Sequence, residues 1–243
     1  MALTDASPAP TAPTLGILGG MSWHSTVEYY RLLNTAVAEA LGGHHSARLL
    51  LASVDFDDVR RLQVDGDWDG AGALLAERGA GLERGGADAV LIATNLMHKV
   101  APAVEAAVDV PLLHIADAVA DAARSRGLTR LGVIGSGWVM TETFYGERLA
   151  RHGIEVVRPS SGWDDDAATV DRVVFDELTQ GEVRAESRDA VVRVLERLAD
   201  AGAEGVVLGC TELDLLLDES VSPLPLVDST AAHVDAAVRF LLG

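Results

Sequence analysis

The chain repeats itself at a fixed offset, and this confines it to folds built twice from one unit. Leu15-Gly16-Ile17-Leu18-Gly19 resembles Leu131-Gly132-Val133-Ile134-Gly135, and Gly86-Ala87-Asp88-Ala89-Val90-Leu91 resembles Gly202-Ala203-Glu204-Gly205-Val206-Val207. Both pairs lie 116 residues apart, Gly16 to Gly132 and Gly86 to Gly202. A further pair, Pro111-Leu112-Leu113 and Pro225-Leu226-Val227, is offset by 114. Two unrelated α/β units would share Gly-Ala strand entries, but nothing would hold them to one register.

Short apolar runs alternate with longer amphipathic ones. Leu15–Leu18, Leu49–Val54, Ala89–Ala93, Leu131–Ile134, Glu155–Val157 and Gly205–Leu208 read as buried strands bounded by Gly or polar residues. Ser25–Leu41, Ala71–Arg84, Thr141–His152 and Ser187–Ala201 carry helical patterns between them. Such alternation predicts an α/β fold: two doubly wound domains with parallel sheets, related by a pseudo-twofold axis. The first domain is expected over residues 14–116 and the second over 117–223. Residues 224–243, with Pro225–Val227 and a helix Ser229–Leu242, are expected to return to the first domain.

The offset has a chemical consequence. Thr94 maps onto Cys210, and each follows a buried strand directly. Parallel sheets bind ligands beyond the carboxyl ends of their strands, so the pair is expected to face one interdomain cleft. Cys210 is the only cysteine, which excludes an intrachain disulfide and a cysteine-based zinc site. Gly209 before it permits a tight turn. A helix starting after that turn would lower the thiol pKa and favour thiolate, a competent base or nucleophile. An inert buried cysteine is the other reading of Cys210, and a strand-end helix cap the other reading of Thr94.

Other turns suggest anion binding. Gly16-Ile17-Leu18-Gly19-Gly20-Met21-Ser22 lacks the spacing of a dinucleotide fingerprint. A strand, glycines and then a helix still form a nest of amides, so a carboxylate is expected on Gly20, Met21 and Ser22. Ser136 occupies the equivalent turn in the second half. The seven histidines show no metal spacing. His98, four residues after Thr94, is expected to make a structural hydrogen bond. Asp164-Asp165-Asp166 reads as a solvated loop.

Composition narrows the partners. A net charge of −18 repels phosphate backbones and argues against nucleic acid. No apolar run approaches the roughly 20 residues needed to span a bilayer. The first 13 residues, with no basic n-region, read as a flexible arm and not a signal peptide, which points to the cytoplasm. Lys99 is the only lysine, so it is the only candidate for a pyridoxal Schiff base.

Leu15 to Tyr30, Ala93-Thr94-Asn95-Leu96-Met97-His98-Lys99 and Gly209-Cys210-Thr211-Glu212 resemble signature segments of the aspartate/glutamate racemases. Ser53-Val54-Asp55-Phe56, Leu113-His114-Ile115-Ala116-Asp117 and Phe175-Asp176-Glu177-Leu178 are similar too. The likeness is nearest to the L-aspartate/glutamate-specific members, in which threonine replaces the first catalytic cysteine. It implies two similar α/β domains with the site between them, often a homodimer, and proton transfer with no cofactor and no metal. It matches Cys210 and Thr94 to the two acid–base positions, and Asn95 and Thr211 to residues that hold the substrate carboxylate. Leu96 and Glu212 fall in the same substrate-contacting segments. The chain departs from the family pattern at Thr94, at Leu96, where a polar residue is common, and at Thr179-Gln180, where aspartate-specific relatives carry a basic residue. The expected function is α-proton abstraction and reprotonation on an acidic amino acid. The alternatives are a single-cysteine decarboxylase of arylmalonate type and a non-catalytic protein that binds dicarboxylates or amino acids.

Overall fold

A computed structural model describes residues 12–243. The first half runs β1 (Leu15–Gly19), α1 (Trp23–Leu41), β2 (Leu49–Ser53), α2 (Phe56–Val64), α3 (Trp68–Arg84) and β3 (Ala89–Ile92). A 3₁₀ turn over Leu96–Val100, α4 (Ala101–Glu105), β4 (Leu112–Leu113) and α5 (Ile115–Ser125) follow. The second half runs β5 (Arg130–Gly135), α6 (Gly137–Thr141), α7 (Phe144–Ala150), β6 (Glu155–Val156) and α8 (Trp163–Arg172). A π-helical turn at Val173–Glu177, α9 (Ala185–Asp200), β7 (Gly205–Gly209), a 3₁₀ turn at Thr211–Leu215, β8 (Leu226–Asp228) and α10 (Ser229–Leu242) complete it.

Two parallel four-stranded sheets result, ordered β2-β1-β3-β4 and β6-β5-β7-β8. The repeat seen in the sequence is the repeat in the pairing. Leu15 pairs with Ala89 in the first sheet, and Leu131 with Gly205 in the second, both shifted by 116. Leu91 pairs with Leu113, and Val207 with Val227, keeping the offsets of 116 and 114. The central strands β1, β3 and β7 are buried along their whole length, as parallel strands covered by helices on both faces must be.

The halves exchange helices. Ile115, Val119 and Ala123 of α5 pack among Leu131, Val133, Val207 and Val227 of the second sheet. Val234, Ala237 and Leu241 of α10 pack on Leu15, Ile17, Leu33 and Leu91 of the first. Residues 224–243 were expected to return together to the first domain, and only the helix does so. The strand Leu226–Asp228 closes the second sheet, because its backbone pairs with β7 while the apolar stripe of α10 matches the face of β1.

Two further expectations change. The pattern over Thr141–His152 is not one helix: α6 stops at Thr141, Glu142 is extended, and α7 starts at Phe144. Asp164–Asp166 lie in the first turn of α8, where acidic groups suit the positive helix end. Asp166 is buried and pairs with Arg197 at 3.2 Å. Of the expected arm 1–13, residues 1–11 lie outside the described residues. No described helix is long and apolar enough to cross a membrane.

Candidate active site

In a strand order such as β2-β1-β3-β4 the chain leaves β1 toward one side and β3 toward the other. The crevice where the directions part is where such sheets bind ligands. Both sheets have this point, at β1/β3 and β5/β7, and both open on one cavity of about 110 Å³. One water needs roughly 10–15 Å³ on a comparable measure, so a small organic acid fits. The carboxyl ends of all four central strands reach the lining, as Met21-Ser22, Thr94, Ser136 and Cys210. Asn95, Leu96, Thr211 and Glu212 line it as well.

Gly20 is the one sequence-predicted site residue outside the lining. Its amide donates to Thr26 Oγ1 at 2.8 Å, so it is not free for a carboxylate. With φ +91° and a Cβ that would fall 2.2 Å from Val54 O, Gly20 serves the approach of the turn to β2. Ser22 caps α1, its hydroxyl accepting from Ser25 N at 3.4 Å. The hydroxyls of Ser25 and Thr211 are 3.1 Å apart, which ties the start of α1 to the Cys210 turn of the other half.

Cys210 is half-buried. Its thiol donates to Glu212 Oε2 at 2.9 Å, and Thr211 Oγ1 donates to the same oxygen at 2.8 Å. Burial, reinforced by the Glu212 carboxylate, pushes the thiol well above its ordinary range. This reverses the expectation of a lowered pKa. Only a single 3₁₀ turn follows Cys210, and that turn brings a carboxylate to the sulfur. The resting group is therefore a thiol.

Thr94 is partly exposed to the cavity, and its carbonyl accepts from His98 Nδ1 at 2.8 Å. His98 Nε2 accepts from Ile115 N at 3.2 Å, which fixes the tautomer and pins the β3 tip to α5. The structural bond expected of His98 is present. His114 lies tilted and His233 edge-on beside it, with ring centroids 4.5 and 5.7 Å away. Burial holds all three imidazoles neutral, His98 well below its usual pKa, His114 at about 3 and His233 at about 4.

Asn95 is committed at both ends of its amide. Nδ2 donates to Ser229 Oγ at 3.0 Å, and Oδ1 accepts from Tyr145 at 3.2 Å. Ser229 passes the chain on to Leu208 O at 2.6 Å. This buried network joins β3, α7, α10 and β7 behind the cavity. Ser136 differs: its hydroxyl is buried with no hydrogen-bond partner among the described residues. A buried polar atom without a partner calls for one from outside the chain.

Arg60 of α2 was not among the residues singled out from sequence. It lines the cavity, with its guanidinium carbon 5.5 Å from the Trp138 ring centroid and 5.6 Å from that of Phe175. Its Nη1 donates to Gln63 Oε1 at 3.2 Å, and no carboxylate pairs with it among the described residues. An arginine of the first half, placed over aromatic rings of the second, thus presents donors to the cavity that no carboxylate of the described residues occupies. In the sequence Arg60 stands beside Arg61, which is exposed and pairs with Asp57 and Asp58, and nothing one-dimensional separates the two. Lys99 lies outside the lining, paired with Glu142 at 2.5 Å and stacked on Trp68. Among the described residues no group of three or more His, Cys, Asp or Glu side chains is placed to hold a metal.

Duplicated α/β halves that meet at their strand ends around a cavity bearing a thiol, a hydroxyl and an unpaired guanidinium define a cleft enzyme of racemase architecture. The chain belongs to the Asp/Glu/Hydantoin racemase family, whose model matches residues 18–237. A Yersinia pestis protein described as a candidate Asp/Glu racemase is 43% identical, with a TM-score of 0.89 over 95% of this chain and 100% of that one. An aspartate racemase homologue from Pyrococcus horikoshii is 30% identical, with a TM-score of 0.81 over 95% and 99%. The Picrophilus torridus aspartate racemase shares the fold at 19% identity and a TM-score of 0.70, over 94% of each chain. An uncharacterised Pectobacterium carotovorum protein is 28% identical over 131 residues, 53% of this chain and 84% of that one.

Proposed function

We propose that the chain racemises an acidic amino acid, aspartate or glutamate, by proton transfer between Cys210, Thr94 and the substrate α-carbon. The observation that carries this reading is the single cavity lined by Thr94 and Cys210 from equivalent strand ends, with Arg60 unpaired in its wall. Cys210, as thiolate, removes the α-proton from one face. Thr94, or a water it holds, returns a proton to the other. The developing enediolate needs preorganised donors in a site that excludes water. The Met21-Ser22 turn and the unpartnered Ser136 hydroxyl supply them for the α-carboxylate; the hydroxyl proton of Thr211 is already given to Glu212. Arg60 receives the side-chain carboxylate, since its planar fork matches a carboxylate bidentately.

The chemistry needs no pyridoxal in this reading. The only lysine is engaged with Glu142 and Trp68 away from the cavity wall, which supports that view. A cytoplasmic homodimer is the proposed working state. Trp23, Val27 and Tyr30 lie at i, i+4 and i+7 on α1 and are each more than half exposed, an apolar stripe suited to a second copy. Sedimentation at micromolar concentration gives a dimer mass in this account, and a monomer mass contradicts that part of it.

The test of function is chiral chromatography of L-aspartate and L-glutamate after incubation with the purified chain. Accumulation of the D enantiomer is the expected result. Release of carbon dioxide from an arylmalonate, with no D-amino acid formed, would replace the reading with the decarboxylase one.

A further inference from the structure

We propose that Glu212 is the proton acceptor for Cys210, and not a contact for the substrate. The inference rests on the racemase reading above and deepens it. Glu212 is the one carboxylate among the residues lining the cavity. Its Oε2 lies 2.9 Å from Cys210 Sγ, a direct donor–acceptor contact with no intervening group. The oxygen is held there by Thr211 Oγ1 at 2.8 Å, and Thr211 in turn by Ser25 at 3.1 Å. The carboxylate is therefore fixed on the sulfur by a chain of hydroxyls that begins in the other half of the molecule.

At rest this arrangement keeps the proton on sulfur, since burial and, after it, the neighbouring anion both disfavour thiolate. A thiol cannot remove an α-proton. The substrate changes the balance by bringing a positive α-ammonium into the cavity. In the proposed step the S–H bond breaks and an O–H bond forms on Glu212, and the negative charge moves from the carboxylate to the sulfur facing the ammonium. The thiolate then takes the α-proton: a sulfur lone pair forms S–H, the Cα–H bond breaks, and the electron pair of that Cα–H bond passes into the enediolate. Reprotonation from the Thr94 face uses a proton of solvent water, and the hydroxide left is neutralised by the proton held on Glu212. No proton is gained or lost over the cycle. The thiol is thus quiet in the empty enzyme, which protects the only cysteine, and becomes a base when an amino acid is bound.

This assignment gives the substitution Glu212→Gln two effects of opposite sign. Removing the anion makes the resting thiol more acidic, so alkylation of the free enzyme by iodoacetamide at pH 7 rises several-fold. Removing the acceptor stops thiolate formation in the complex, so deuterium exchange at the α-carbon of glutamate or aspartate in heavy water falls ~10²-fold or more, the range for loss of an acid–base group. Glu212→Asp, which keeps the carboxylate, recovers part of the exchange. Alkylation and exchange falling together mean a structural role and overturn the proposal. Exchange in Glu212→Gln within threefold of the unaltered chain overturns it as well. An unaltered chain that exchanges no α-proton, while Glu212→Gln still speeds alkylation, removes the racemase reading and the relay with it, and leaves only the electrostatic pairing of the two side chains.

Discussion

Thr94 and Cys210 hold the same place in the two repeats, each just beyond the strand that pairs with the first strand of its sheet, and both line one cavity. The symmetry of position is not matched by symmetry of chemistry. A thiol can ionise in the working range and a threonine hydroxyl cannot. The two faces of a bound amino acid therefore meet unequal groups. Enantiomers have equal free energy, so kcat/KM for net conversion must be equal in both directions whatever the residues. One-sided exchange of the α-proton with solvent is not bound by that equality, and it is where the asymmetry shows.

For this reason the unaltered chain is expected to wash deuterium into recovered substrate of one configuration faster than the other. Thr94→Cys should bring the two rates together, with a gain of ~10²-fold or more for the slower enantiomer, as expected when an acid–base group is supplied. Proton NMR of the recovered enantiomers reads this directly. An unchanged ratio would remove Thr94 from the stereochemical role.

Arg60 predicts a binding effect. Replacement by Gln removes a charge-assisted pair with the side-chain carboxylate, worth about 1.5–3 kcal/mol, or roughly 10- to 150-fold in KM. Arg60→Lys should not restore it, since an ammonium neither lies flat over Trp138 and Phe175 in the same way nor offers a planar fork. Steady-state kinetics on aspartate and glutamate give the answer, and a KM within threefold of the original would move side-chain recognition elsewhere.

Asn95 predicts a loss of stability without any ligand. Asn95→Ala leaves the buried Tyr145 hydroxyl without its acceptor, at about 1–3 kcal/mol, while Ser229 keeps its bond to Leu208 O. At roughly 2–4 °C per kcal/mol for a chain of this size, the melting temperature should fall by about 2–12 °C. Were Asn95 only a substrate contact, thermal unfolding of the free protein would not change.

The histidine cluster predicts a pH window. His98, His114 and His233 are neutral when folded, and their pKa values lie below the unfolded value of about 6.5. Their stabilising contribution is complete above that value and declines as pH falls toward the folded values, about 3 for His114 and about 4 for His233. By pH 5 the loss is on the order of 2 kcal/mol for each of His114 and His233, before most carboxylates titrate. Scanning calorimetry should show the melting temperature dropping between pH 6.5 and 5. A flat profile there contradicts the buried neutral assignment.

Much of the fold was legible because a repeat constrains more than any single pattern. The offset of 116 residues set which strands are central, which ends face the cavity and which residue opposes Cys210. The exchange of α5 and α10 was half visible. An apolar strand of three residues carries no label for its sheet, and only backbone pairing with β7 assigns Leu226–Asp228. The site was legible where it lies on strand ends and obscure where it lies on a helix surface. Arg60 and Arg61 are neighbours in a charged helix, and which one turns inward depends on Trp138 and Phe175 more than 75 residues away. The thiol departs from the sequence expectation because the fold buries the sulfur and the short turn after Cys210 brings Glu212 to it, and neither effect is visible in one dimension.

The most direct test of the account is deuterium incorporation at the α-carbon of L-glutamate and L-aspartate in heavy water, followed by proton NMR for the unaltered chain and for Cys210→Ser. The account predicts loss of the α-proton signal with the unaltered chain, deuterium in the D product, and a rate at least ~10³-fold lower for Cys210→Ser. Exchange that survives the loss of the sulfur at a comparable rate would contradict it.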